Sequence, residues 1–137
     1  MRFRNTSLAI LFAITMLAAV SSQATVYYVA SDATGNNDGT SWTDAYTDLQ
    51  VAIEAAAIAA NGPHQVWVKK GVHKPASWPN GGSTDREKHF SLRNNVAVLG
   101  GFEGTESSAD QRDPRLNQTI LSGDLNGDDM WMTNWAE

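Results

Sequence analysis

The chain has 137 residues, 42% of them hydrophobic, with 10 Lys and Arg against 15 Asp and Glu and no cysteine. A net charge of −5 without a basic patch argues against nucleic acid or an anionic membrane surface as partner. The lack of cysteine removes disulfides and thiolate-bound metal, so packing, an oxygen-ligated ion or a larger assembly must supply the stability.

Arg2 and Arg4 precede an uncharged apolar run from Leu8 to Val20, and Ser22-Gln23-Ala24 then places small residues where a signal peptidase reads them. The run is shorter than the roughly 20 residues needed to cross a bilayer. Residues 1–24 therefore read as a secretory leader cleaved before Thr25, which sends the protein to the cell surface or the medium. Cleavage removes two of the 10 basic residues and none of the 15 acidic ones, so the net charge moves from −5 to −7. Residues 25–137 remain, about 113 in all, enough for one domain. No later stretch is apolar enough to span a membrane.

The mature chain opens on Thr25–Ala30, an apolar, β-branched and aromatic run that predicts a strand. Ser31 to Ser41 is dense in turn formers. Thr43-Asp44 then offers side-chain oxygens to start a helix. Between Ala45 and Ala60 the residues Leu49, Ile53, Ala56 or Ala57, and Ala60 recur at helical spacing, and Asn61-Gly62-Pro63 is a stop signal.

Beyond the helix the pattern shortens. Gln65–Val68 and Val72–Lys74 predict strands, as do Phe90–Leu92, Val96–Leu99 and Thr119–Leu121, each bounded by Asn, Gly or Pro nearby. Residues 75–86 form a polar loop without periodicity, and residues 103–117 a second loop rich in charge. Such short strands fit a β-solenoid better than a sandwich or barrel, whose strands run to about five or six residues.

Longer stretches carry a resemblance. Tyr28-Val-Ala-Ser-Asp-Ala-Thr-Gly-Asn-Asn-Asp-Gly-Thr-Ser-Trp42 with Ala45–Ile53, Val66–Pro75, Phe90–Glu106, Gln111–Pro114 and Thr119–Asp124 together resemble the opening segment of bacterial right-handed parallel β-helix proteins. These are the pectate-lyase-like surface proteins and polymorphic outer-membrane-type adhesins. The resemblance implies a mostly-β, right-handed parallel β-helix that begins with an N-terminal capping α-helix and is incomplete at its C-terminus. Val66, Val68, Val96, Val98, Leu99, Ile120 and Leu121 would then face into the coils, with Gly100 and Gly101 at a tight corner. With no closing element visible in Met130–Glu137, the chain is expected to be the front of a longer protein or a truncated reading frame. The implied function is that of an exported, non-catalytic, adhesin-like segment contacting an extracellular glycan or surface protein. The alternative is the N-terminal part of a polysaccharide lyase or glycoside hydrolase.

Candidate sites are few. Asp124, Asn126 and Asp128 alternate as the first oxygen ligands of a calcium loop do, although the glycine is displaced and the twelfth place holds Trp135. A solvated turn competes with calcium there. Asp32, Asn36, Asn37 and Asp38 form a second oxygen-rich loop with the same two readings. His64, His73 and His89 lack zinc spacing. Lys69 or Lys70 could meet an acidic sugar, against the plainer reading of a solvated lysine at a sheet edge. Arg112, Asp113 and Arg115 read as local ion pairs, and Asn117-Gln118-Thr119 matches a glycosylation triplet. No residue carries a catalytic assignment, and no cofactor other than the candidate calcium is implied.

Overall fold

The computed structural model describes residues 24–128. The expected leader lies outside the described residues except for Ala24, which is exposed, and Trp131 and Trp135 also lie outside them.

Strand β1 (Val26–Val29) leads through the turn-rich segment to helix α1 (Leu49–Ile58), which returns the chain to β2 (His64–Lys69). Strand β3 (Gly71–His73) follows at once, and β4 (Val96–Phe102) and β5 (Thr119–Leu121) come after the two long loops. Each loop carries one short 3-10 turn, at Asp85–Glu87 and Ala109–Gln111. The strands form two parallel sheets, one ordered β1-β2-β4 and the other pairing β3 with β5.

The β-helix expectation is overturned here. One helix and a few short strands in two small parallel sheets make up the described residues, with no stacked solenoid evident among them. The reason is that short apolar runs punctuated by Asn and Gly describe any short parallel strand. They do not fix how many strands stack, and the joins are unequal: β1 reaches β2 through a helix, whereas β2 reaches β4 through the short strand β3 and a long loop. Nor does α1 cap an open end. It lies against one face of the three-stranded sheet.

That face holds the core. Strand alternation and register put Tyr27, Val66 and Val98 in one row and Val29 and Val68 in the next. Leu49, Ala52, Ile53 and Ala56 meet them from the helix, one turn apart and all buried. The alanines let the helix lie close, and each fully buried Val, Leu or Ile contributes about 1.5–3 kcal/mol. Val96 and Val98 are only partly covered, while Ile120 and Leu121, expected to face inward, are about half exposed.

The opposite face carries aromatic rings. Trp67 stacks on Phe102 with centroids 4.8 Å apart and planes 9° from parallel, and Tyr28 meets Trp67 and Trp42 edge-on. Trp42 donates its indole N–H to the Glu106 carbonyl at 2.9 Å, tying the charged loop to this layer.

The helix begins four residues later than the Thr43-Asp44 cap. Asp48 is the cap and accepts the Gln50 N–H at 2.7 Å, because Asp44 is already engaged by the Asn36 N–H and the Ser41 hydroxyl. Phe90–Leu92 forms no strand. Gly100 and Gly101 do mark a close approach: a Cβ on Gly101 would stand 2.8 Å from Pro114 Cγ, and one on Gly100 2.8 Å from Thr119 Cβ. No helix among the described residues is long and apolar enough to cross a membrane.

Candidate functional site

The residues singled out from sequence are mostly absorbed by the fold. Lys69 pairs with Asp32 at 2.7 Å and Lys70 with Glu103 at 2.6 Å, so neither ammonium stands without a carboxylate. The Lys69 hydrogen bond holds the Asp32 carboxyl below its ordinary pKa, with slight burial opposing. His73 is buried, and its Nε2 lies 3.0 Å from the Lys69 carbonyl. His89 is bonded to the Glu87 carbonyl and the Asn80 amide. Arg112 and Arg115 form no ion pair among the described salt bridges. Asp113 instead closes a turn by accepting the N–H groups of Arg115 and Leu116. Thr119 of the glycosylation triplet donates its hydroxyl to the Val68 carbonyl and accepts the Gly101 N–H.

Asp124, Asn126 and Asp128 do line one cleft, of about 660 Å³. Asp124 Oδ1 already accepts the N–H groups of Gly127 at 2.6 Å and Asp128 at 3.2 Å, which is turn geometry. Arg86 and Lys88 share the cleft with Asp85, and those cations disfavour a divalent ion there. No three His, Cys, Asp or Glu side chains among the described residues gather as a metal site. In the other oxygen-rich loop, Asn37 accepts from the Thr47 N–H and Asp38 from Thr40.

A different site emerges on the outer side of α1. Gln50, Val51, Glu54, Ala55 and Ile58 form one wall of a groove of about 510 Å³, and Ser77, Trp78, Pro79 and Arg93 form the other. The polar members hold each other in place. Arg93 reaches Glu54 with two nitrogens, Nη2 to Oε1 at 2.6 Å and Nε to Oε2 at 3.2 Å. This two-pronged geometry is specific to guanidinium and carboxylate. The hydrogen bond from Arg93 holds the Glu54 carboxyl below its ordinary pKa, partial burial opposing and Gln50 adding to the effect. Gln50 is buried, donates to Glu54 Oε1 and the Ser91 carbonyl, and accepts the Ser91 N–H.

Trp78 is 36% exposed yet fastened. Its indole N–H donates to the Thr84 carbonyl at 2.7 Å, and Lys88 Nζ sits 5.2 Å from the ring centroid. Gly82 passes so close that a Cβ there would be 2.4 Å from Trp78 Cδ1. The Glu87 carboxylate locks the loop behind it by accepting the N–H groups of Ser83 and Thr84 and the Thr84 hydroxyl. Those bonds also lower the Glu87 pKa. Residues 75–86, read from sequence only as polar loop, thus present an aromatic plate on a braced support. The signal for it was Trp78 between Ser77 and Pro79, with Gln50 and Glu54 four apart on the helix.

No family model, no curated protein and no solved structure matches the chain. Function is therefore read from the site itself.

Proposed function

We propose that the chain is an exported, non-catalytic binding segment of a surface protein and that the groove beside Trp78 takes an extracellular glycan. The observation that carries this reading is the braced, part-exposed indole facing a helix wall that mixes apolar and hydrogen-bonding groups. A sugar ring has an apolar C–H face that packs on an aromatic ring and a rim of hydroxyls that needs donors and acceptors. Val51, Ile58 and Trp78 suit the first, and Glu54 and Arg93, held in place by the buried Gln50, suit the second.

The Glu54–Arg93 pair is internally neutral, which favours an uncharged oligosaccharide over a uronate polymer. It also removes Glu54 as a general acid, since a carboxyl held below its ordinary pKa by a guanidinium stays ionised at neutral pH. Export rests on the leader read in residues 1–24.

The test is calorimetric titration with neutral cello-, manno- and chito-oligosaccharides, with polygalacturonate as the charged control. At least one neutral series is expected to bind, and Trp78→Ala to weaken it by about tenfold, the loss expected of one stacking platform. Binding of none of them, or binding that Trp78→Ala leaves unchanged, overturns the reading.

A further inference from the structure

His64 opens β2 beside the first residue of the expected mature chain. The Thr25 nitrogen lies 3.3 Å from His64 Nδ1. The Thr25 carbonyl accepts the Gln65 N–H at 3.0 Å, so the sheet ladder begins at the residue that follows the expected cut. The imidazole is 2% exposed. Its Nε2 points to the Ala59 carbonyl at 3.4 Å, the Tyr27 ring packs against it edge-on with centroids 6.0 Å apart, and the His64 backbone N–H donates to the Asn95 carbonyl. With Nε2–H donating to Ala59, Nδ1 carries a lone pair aimed at Thr25. Thr25 and Ala24 are exposed.

We propose that His64 is a receptor for the N-terminus created by leader removal. The proposal rests on reading residues 1–24 as a cleaved leader. A signal peptidase hydrolyses the Ala24–Thr25 amide: the C–N bond breaks, water gives its hydroxyl to the Ala24 carboxylate, and the nitrogen leaves as the Thr25 α-ammonium. That group has three N–H donors where the amide had one. One donates to Nδ1 and the other two stay in water. The contact becomes charge-assisted and therefore shorter and stronger than the amide version. Processing thus tightens a contact that the amide already makes between the start of β1 and β2.

The experiment uses the full chain, expressed with its leader in an exporting bacterium, and the processed product recovered from outside the cytoplasm. Intact mass and N-terminal sequencing are expected to show a chain that starts at Thr25. On that product the α-amine is expected to react with an acylating reagent roughly fivefold more slowly than the amine of a Thr-Val-Tyr peptide, the effect of one ordinary hydrogen bond. Long-range 15N NMR is expected to show His64 protonated on Nε2. His64→Asn, whose Oδ1 falls near the Nδ1 position, is expected to keep most of the protection, and His64→Ala to lose it.

A start at another residue overturns both the cut site and the latch. A start at Thr25 with peptide-like reactivity and the proton on Nδ1 overturns the latch alone. Should His64→Ala fail to accumulate, the reactivity and tautomer of the unmutated product decide the matter.

Discussion

Glu54 carries its charge where a small pH change in its favour is measurable. Its folded pKa is lowered, chiefly by the Arg93 hydrogen bond. The contribution of the pair is thus complete above the unfolded value of about 4.3 and fades as pH falls through the lower folded value. Wild type is expected to exceed Glu54→Gln by about 0.5 kcal/mol at pH 6, as a partly exposed pair should, and the gap to narrow in urea melts as pH is lowered below the ordinary carboxylate range. Gly101 offers a larger effect. Its φ of 96° and the nearby Pro114 ring leave no room for a methyl group. Gly101→Ala is expected to cost about 2 kcal/mol, seen as a lower urea midpoint at unchanged slope. Gly101 was readable in the sequence as a close-packed glycine. Its partner was not, because Pro114 lies across a loop whose path no local pattern encodes.

At the scale of the element, α1 separates what spacing can say from what it cannot. Leu49, Ile53 and Ala56 gave the buried stripe because a helix repeats every 3.6 residues whatever it packs on. The start was misplaced because Asp44 and Asp48 are equivalent in sequence, and only the turn contacts of Ser41 and Asn36 decide between them. Asp48→Ala is expected to lose about 1 kcal/mol, Ile53→Ala about 3 kcal/mol, and Ile58→Ala, at an 85% exposed position, less than about 0.5 kcal/mol. Chemical denaturation of the three variants checks that order. The strands behave alike: β-branched runs announced β1, β2, β4 and β5, but their pairing depends on long-range register. The Trp78 groove was least legible, since it joins helix, loop and the segment around Arg93.

For the molecule as a whole, the two parallel sheets replace the coil expected from the resemblance. Stability is concentrated where α1 covers the three-stranded sheet, while the β3–β5 pair carries half-exposed Ile120 and Leu121. Amide exchange is therefore expected to be slowest in β2 and markedly faster in β5. The acidic turn at Asp124–Asp128 is part of this less protected side. Millimolar calcium is expected to leave the melting temperature unchanged, because the ion would have to displace two backbone N–H groups from Asp124 Oδ1 and sit in a cleft with Arg86 and Lys88.

Two of the five tryptophans, Trp67 in the sheet and Trp78 beside the helix, are placed to serve as separate optical reporters. Trp67, 4% exposed and stacked on Phe102, should emit to the blue and resist acrylamide until the sheet itself melts. Trp78 shares its ring with water and should be quenched in the native state. With Trp42, Trp131 and Trp135 replaced by Phe, an occupied groove would therefore be visible as selective shielding of one indole while the emission of the other stays constant, so occupancy and unfolding can be followed in one cuvette without a label.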